Sequence, residues 1–156
     1  MDEAQFLQLI DRHQGIIHKI CRLYRDSMED REDLFQDIVF QLWKAAASYE
    51  GRAKFSTWMY RVALSTAISA YRKKRPAIRY TSTLPESSEA AAEPDEQREQ
   101  LFRALKQLDD GDKALIALYL EGLNYQEIAA ITGITENNVG VKLSRIKKKI
   151  QQLLKN

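Results

Sequence analysis

The sequence has little of what marks several common protein classes. Its 156 residues include one cysteine, three prolines and six glycines. A single cysteine cannot form an internal disulfide, which excludes a disulfide scaffold. No apolar run is long enough to cross a bilayer, and the first residues are acidic and amphipathic rather than signal-like. We therefore expect a cytoplasmic chain without membrane insertion.

Residues that bind metals or carry catalysis are also sparse. The two histidines, His13 and His18, lie near Cys21, but structural zinc needs four ligands and this group offers at most three. The sequence has no phosphate-binding loop and no nucleophile paired with a base. It predicts neither an enzyme nor a metal or other cofactor, and it favours Cys21 as a small buried apolar residue.

The formal net charge of +2 conceals an uneven distribution. Residues 1–75 and 101–156 each have an excess of Lys and Arg, whereas residues 76–100 have an excess of Asp and Glu. The acidic segment also holds all three prolines and several serines, a composition typical of a linker without its own core. We therefore predict two domains, residues 1–75 and 97–156, joined by a linker over residues 76–96.

Residues 124–149 have the pattern of a helix, a tight turn and a second helix. Asn124 with Glu127 three residues later predicts a helix start, and Gly133 suits the left-handed conformation that ends a helix. Thr135 can cap the next helix, whose apolar residues recur at steps of four and three. This spacing is typical of a helix-turn-helix.

The other face of that second helix is polar at its start and cationic further on. Such a face suits base edges first and phosphates later, although a solvated basic face on an ordinary helical corner is the alternative. The candidate residues for reading duplex DNA are Thr135, Glu136, Asn137, Asn138, Val141, Lys142, Arg145 and Lys148.

The rest of the chain also has helical periodicity, so the fold class is all-α. The first helix is predicted over residues 4–24. The second is predicted to start at a cap formed by Asp30, and the third at Ser56, running into a basic end. In the second domain, Asp112 is the predicted cap of the helix that precedes the helix-turn-helix. The architecture is a small helical bundle followed by a helix-turn-helix domain.

Besides its apolar stripe, the second helix has a stripe of carboxylates, an amide and large aromatics. This mixture is typical of a protein-binding face on which aromatics act as anchors. The alternative is that Phe40 and Trp43 are covered by the third helix and belong to the core. The residues of this stripe are Asp33, Gln36, Asp37, Phe40 and Trp43.

The third helix and the loop before it combine aromatics, among them Tyr60, with cations and very small residues. Small residues let a nucleic-acid strand approach closely, aromatics stack on bases, and cations bind phosphate. A basic helix end without function is the alternative. The candidate residues for binding a strand are Lys54, Phe55, Trp58, Arg61, Ser65, Ser69, Arg72 and Lys73.

Three segments together resemble the extracytoplasmic-function group of bacterial RNA polymerase sigma factors. They are DREDLFQDIVFQLW (Asp30 to Trp43), KFSTWMYRVALSTAIS with its basic end, and LYLEGLNYQEIAAITGITENNVGVKLSRIKKKI. They follow the family's order and cover nearly the whole chain outside the linker. The resemblance implies an alternative sigma factor that binds core RNA polymerase and directs promoter-specific transcription initiation.

The resemblance also implies a role for each candidate group. The second helix would dock on core polymerase, the third helix and its loop would open and read the proximal promoter element, and the helix-turn-helix would read the distal element as duplex. The residues that the resemblance implies for polymerase binding are Glu32, Asp33, Gln36, Asp37 and Phe40. An anti-sigma factor is a further implied partner. The chain departs from the family at Ser65 and Ser69, where Asn and Asp are common, and at Gly140 and Val141, where a basic-polar pair is common. Its base preference is therefore open.

Two other functions remain open on the residues. One is a stand-alone helix-turn-helix repressor whose first domain dimerises or senses a signal. The other is an interaction adaptor that keeps the fold but has lost DNA binding.

Overall fold

The computed structural model describes residues 1–49, 51, 54–69 and 95–155. Within these residues it has seven α-helices and no β-strand, which confirms the predicted all-α fold. The helices are α1 (Glu3–Tyr24), α2 (Met28–Ala46), α3 (Phe55–Ser69), α4 (Glu96–Lys106), α5 (Asp110–Leu120), α6 (Tyr125–Thr132) and α7 (Glu136–Lys155). No helix in these ranges combines the length and apolarity needed to span a bilayer.

The chain divides into two compact units, Met1–Ala91 and Ala92–Asn156. The predicted linker over residues 76–96 lies almost entirely outside the described residues. In the first unit, α1, α2 and α3 each pack against the other two. The apolar stripe predicted for α2 is buried, with Ile38 and Leu42 fully enclosed. Each such side chain contributes about 1.5–3 kcal/mol through burial, so this shared core holds the three helices together.

Cys21 and the two histidines all take part in packing the first unit. Cys21 is 2% exposed, and burial raises the pKa of its thiol to about 12 against the opposing effect of Arg25 and Arg31. The ring of His13 lies 5.2 Å from that of Phe55 in α3, whereas the ring of His18 stacks 4.5 Å from Phe35 in α2. The two histidines therefore pack against different helices.

The second unit is built around α7, which packs against α4, α5 and α6, while α6 also packs against α5. The predicted apolar stripe of α7 is confirmed. Val139, Leu143, Ile146 and Ile150 are buried, and Leu153 is half-buried at the end of the stripe. Because this stripe faces the other helices, the opposite side of α7 is left to solvent.

Two helices begin three residues earlier than the sequence predicted. Ser27, not Asp30, caps α2, and its Oγ accepts a hydrogen bond of 3.1 Å from the Asp30 N–H. Asp109, not Asp112, caps α5, and its carboxylate accepts from the Asp112 N–H at 2.8 Å. Both misassigned carboxylates occupy the third helical position, where negative charge also complements the helix dipole. In the sequence they therefore resemble caps.

The start of α3 also differs from the prediction. The Trp58 N–H donates to the Lys54 carbonyl at 3.1 Å, so Ser56 lies inside the first turn rather than capping it. The described part of α3 ends at Ser69. The predicted basic end, which includes the candidate residues Arg72 and Lys73, lies outside the described residues.

Candidate nucleic-acid and polymerase interfaces

The helix-turn-helix corner forms as its sequence predicts. Asn124 and Glu127 make a reciprocal capping box at the start of α6, with hydrogen bonds of 2.8 and 3.1 Å. Gly133 ends α6 with a backbone φ of +80°, a conformation that residues with a Cβ rarely adopt. The Thr135 Oγ1 then accepts from the Asn138 N–H at 3.2 Å, which starts α7. These bonds fix the direction in which α7 leaves the corner.

The outward face of α7 brings the predicted duplex-reading residues together. Val139 and Leu143 are fully buried, so residues on the opposite side of the helix point away from the core. The candidate residues on this helix and its cap are all exposed, as is Ser144 beside them: Thr135, Glu136, Asn137, Asn138, Val141, Lys142, Arg145 and Lys148. Polar groups come first along the helix and cations later, which is the order needed for base edges followed by phosphates.

The cations of α7 divide into two groups that the sequence does not distinguish. Lys147 donates to the Tyr119 hydroxyl at 3.1 Å, and its Nζ also lies 4.2 Å from the centre of that ring. The hydrogen bond to Tyr119 is the main reason why the pKa of Lys147 is raised. Lys149 pairs with the Asp112 carboxylate at 3.2 Å. Both side chains are therefore engaged by the second unit itself.

The remaining cations of this face, Lys142, Arg145 and Lys148, are exposed and form no ion pair with any residue in the described ranges. An exposed ammonium or guanidinium with no internal partner can bind a phosphate without first breaking another contact. These three side chains are therefore the candidate phosphate-binding cations of α7.

Gly140, one of the departures from the family pattern, has a packing reason. A Cβ at this position would lie 3.3 Å from Cε2 of Tyr125, the first residue of α6. The absence of a side chain therefore lets the Tyr125 ring lie against α7. Any side chain here would require that ring to shift by a few tenths of an ångström.

On α2, the mixed acidic and aromatic stripe lies at the surface. Phe40 is 57% exposed and Trp43 is 44% exposed. Asp33 is also exposed, whereas Gln36 and Asp37 are half-buried, as is Glu32. The alternative that the third helix covers the aromatics is wrong, because the ring contact of Trp43 is with Phe6 of α1, at 5.0 Å between centroids. Large exposed aromatics beside carboxylates are typical of a protein-binding surface.

At the start of α3, aromatic rings form a cluster that the sequence only partly predicted. Trp58 lies 5.4 Å from Phe55 and 4.9 Å from Tyr49, measured between ring centroids. Phe55 also contacts Tyr49 and His13. Tyr49 was not among the candidates from the sequence, because it lies in the loop after α2. Its position in the sequence, a few residues before Phe55 and Trp58, was the signal that could have identified it. Phe55 and Trp58 are half-buried, so each keeps part of its surface open.

Tyr60 does not belong to this surface. It is 5% exposed and lies in the core of the first unit. Residues 58 and 60 are about 200° apart around an α-helix, so they cannot share one face. The interpretation that placed Tyr60 among the strand-binding aromatics is therefore wrong.

The polar face of α3 carries Arg61, Ser65 and Ser69, all exposed, and Lys54 is exposed just before the helix. The Ser69 hydroxyl donates to the Ser65 carbonyl at 2.7 Å. This bond holds the Ser69 side chain against its own helix.

Arg25, which sequence reasoning missed, holds α3 in place. Its guanidinium donates to the carbonyl of Tyr24 at 2.8 Å and to that of Ala67 at 3.2 Å. Arg31 in turn donates to the Arg25 carbonyl at 3.1 Å. A cation near the end of a helix also complements the helix dipole. No local pattern signals this role, because residues 25 and 67 are far apart in the chain.

Comparison with known proteins agrees with this arrangement. Residues 9–77 match the family model for sigma-70 region 2, and residues 98–150 match that for sigma-70 region 4. The RNA polymerase sigma factor CarQ of Myxococcus xanthus is 30% identical over 157 residues, which cover 97% of this chain and 88% of CarQ. The ECF RNA polymerase sigma factor SigM of Mycobacterium tuberculosis is 26% identical over 156 residues, covering 98% of this chain and 79% of SigM.

A solved structure has the same fold. The sigma factor RpoE of Bartonella quintana, in complex with the anti-sigma factor NepR, superposes with a TM-score of 0.74 at 21% identity and covers 97% of both chains. The two family matches lie in the family's order and together span most of the sequence. This chain therefore belongs to the extracytoplasmic-function group of bacterial RNA polymerase sigma factors and is an alternative sigma factor that acts in transcription initiation.

Proposed function

We propose that this alternative sigma factor divides promoter-specific initiation among three surfaces. The α2 stripe of Glu32, Asp33, Gln36, Asp37 and Phe40 docks on core RNA polymerase. The start and polar face of α3 bind the melted strand of the proximal promoter element. The outward face of α7 reads the distal element as duplex. The first two surfaces belong to a domain of residues 1–75, and the third to a domain of residues 97–156.

The observation that carries the proposal is the exposure of Phe40 and Trp43 next to carboxylates on α2. An exposed patch of this kind is costly in water unless a partner covers it, and aromatics at the centre of an interface supply much of its binding energy. The patch lies on a helix outside the helix-turn-helix. A regulator that acts through its helix-turn-helix alone has no evident use for such a patch.

The α3 surface supports strand capture because its rings hold one another in place. Phe55 and Trp58 contact Tyr49 as well as each other, so neither ring has to be ordered when a base arrives. Stacking of one base on an aromatic side chain contributes about 1–3 kcal/mol. Lys54 and Arg61 would bind the phosphates of the same strand. Arg72 and Lys73, which lie outside the described residues, are further candidates for that role from the sequence.

The α7 surface supports duplex reading by its order of side chains. The carboxamides of Asn137 and Asn138 can each pair with an adenine edge in the major groove, and Glu136 can accept from a cytosine. Lys142, Arg145 and Lys148 then bind phosphates. A single helix of this size gives modest affinity on its own, so we expect polymerase docking to supply the rest through linkage.

The same proposal extends to the chain's cellular location and to a further protein partner. The chain contributes binding rather than catalysis, and it acts in the cytoplasm, where core polymerase and promoter DNA are found. RpoE of Bartonella quintana was solved bound to an anti-sigma factor. That complex supports the proposal that an anti-sigma factor also binds this chain.

The test is reconstitution with core RNA polymerase from the source bacterium. The purified chain should join the core enzyme in a pull-down and should support initiation at promoters that the core enzyme alone ignores. A chain that binds DNA but never joins the core enzyme would instead favour a stand-alone regulator. A chain that joins it but gives no promoter-specific initiation would favour an adaptor.

A further inference from the structure

Val141 is an apolar residue on a face that is otherwise polar. It is 43% exposed. Asn137 lies one turn before it, while Ser144 and Lys148 follow one and two turns after it, and all three are exposed. This stripe runs along the outward side of α7 at steps of four, three and four residues, so its members share one face.

The position of Val141 points its side chain directly away from the core. Val139 and Leu143, two residues before and after it, are both fully buried. Residues two apart on an α-helix differ by about 200°, so a residue midway between two buried ones faces the opposite side. Val141 therefore has no role in holding α7 against the other helices of this unit.

The residue that follows Val141 on this face is small, so it leaves room for Val141 to make contact. Ser144, one turn after Val141, is short. The isopropyl group of Val141 is short, and its χ1 angle is restricted. It can therefore contact a base only if the helix lies deep in the major groove of DNA.

We propose that Val141 packs against the 5-methyl group of a thymine in the major groove of the distal promoter element, which makes Val141 a specificity-determining residue. This inference rests on the proposed function, because it requires α7 to enter that groove. The thymine methyl is the one apolar group among the base features of the major groove that proteins use for direct readout. A valine cannot donate or accept a hydrogen bond, so this methyl is its matching partner.

The helix geometry also places the thymine relative to its neighbours. One turn of α7 advances about 5.4 Å, and base pairs are about 3.4 Å apart. The thymine read by Val141 therefore lies within about two base pairs of the base read by Asn137. If Asn137 pairs with an adenine, the distal element has A·T pairs at both positions.

The experiment uses holoenzyme made from the full chain and core polymerase. A randomised promoter library is first selected for binding. The strongest duplex is then resynthesised with each distal thymine replaced, one at a time, by deoxyuridine, which lacks only the methyl group. Wild-type holoenzyme should lose about fourfold in affinity at one distal position, from the roughly 0.8 kcal/mol of one buried methyl-sized group.

Two variants separate the contact from general effects. Val141→Ser should bind the thymine and deoxyuridine duplexes equally, and a library selected with it should no longer favour thymine at that position. Val141→Ile, which keeps the apolar branch, should keep the preference. Equal thermal midpoints of the three chains would show that the fold is retained, as expected for an exposed side chain.

Several results would overturn the inference. They are a selected distal element without thymine, a wild type indifferent to deoxyuridine at every distal position, and a deoxyuridine effect that persists in Val141→Ser. In these cases the selected promoters would still carry a distal element, and the proposed function would stand. A wild-type selection without any distal preference would overturn the proposed function itself, and this inference with it.

Discussion

The helices that we propose to contact promoter DNA, α3 and α7, present different surfaces. At the start of α3, Phe55 and Trp58 are half-buried against Tyr49, and the exposed positions that follow are short or cationic. On α7, the buried side is a continuous apolar stripe, and the outward side carries carboxamides, one valine and open cations. The first surface offers ring faces, and the second offers a ridge of polar groups.

This difference matches the two forms of DNA that a promoter presents. Unpaired bases have free faces that stack on aromatic rings, and rings already packed against one another lose little freedom on binding. A duplex hides its base faces and offers only edges, which a rigid helix can reach in the major groove. We therefore infer that α3 binds the melted strand and that α7 reads the duplex.

Cys21 allows the first unit to be followed apart from the second, because it is the chain's one cysteine and lies in the first core. The pKa of its thiol is about 12 in the folded chain against an ordinary value of 9.0. At pH 8 the folded chain should therefore react with iodoacetamide about 1,000-fold more slowly than the chain in urea, because its thiolate fraction is lower by that factor. Mass spectrometry of timed samples measures both rates.

The same shift predicts how stability depends on pH. The folded thiol holds its proton more tightly than the unfolded one, so its contribution is fully present below pH 9 and is lost as pH rises towards about 12. The free energy of unfolding of wild type, relative to Cys21→Ala, should fall over that range. Fast labelling of the native chain at pH 8 would show instead that the first core is open.

The α2 stripe should be essential for polymerase binding and for nothing else. Asp37→Lys together with Phe40→Ala should weaken binding to core polymerase by about 100-fold or more, since truncating one aromatic anchor alone often removes 2 kcal/mol or more. Binding can be measured with fluorescently labelled chain. The matched control is Asp11→Lys with Met28→Ala, which makes the same kinds of change at exposed positions of the first unit outside the stripe. Equal loss in both double variants would contradict the assignment.

The ring cluster at α3 should matter for melted DNA. Phe55→Leu with Trp58→Leu keeps apolar volume but removes two ring faces. We expect open-complex formation to fall by about tenfold, and binding to a promoter with a pre-melted proximal element to fall equally, because capture of the strand is what is lost. Tyr60→Phe, which changes a buried side chain, is the control. If the pre-melted promoter restores full binding, the rings act in opening rather than in capture.

Lys148 and Lys149 form a matched pair on α7, adjacent in sequence but different in engagement. Lys148→Ala should weaken promoter binding by holoenzyme a few-fold and evenly across sequences, and it should lower the salt slope by about one. Lys149→Ala should leave the slope unchanged, because that side chain pairs with Asp112. It should reduce the free energy of unfolding by less than about 1 kcal/mol, as is usual for a surface ion pair. The opposite order of effects would reverse the two roles.

Much of α7 and its corner could be predicted from sequence because the signals are local. Gly133 and the capping pair of Asn124 and Glu127 act within a few residues of one another, and a regular apolar stripe needs only helical periodicity. The predicted caps of α2 and α5 were wrong for a local reason as well. Each helix has two candidate residues three positions apart, and the sequence alone does not decide between Asp30 and Ser27.

Contacts between distant residues could not be predicted. Lys147 differs from Lys148 because it bonds to Tyr119, which lies 28 residues away along the chain. Lys149 differs because it bonds to Asp112, which lies 37 residues away. The bond from Arg25 to the Ala67 carbonyl spans 42 residues. Such contacts depend on how helices pack, and helical periodicity states only which face is buried. Periodicity could, however, have separated Tyr60 from Trp58, since it places them on different faces.

The central claim is that neither DNA-binding surface is selective on its own. Selective binding requires polymerase to hold both domains on one promoter. This claim is tested most directly by titrating a fluorescent promoter duplex, and the same duplex with a scrambled distal element, with the full chain alone and with holoenzyme. The chain alone should bind weakly and prefer the promoter by less than about tenfold, whereas holoenzyme should prefer it by about 100-fold or more. Tight and equally selective binding by the chain without polymerase would contradict the claim.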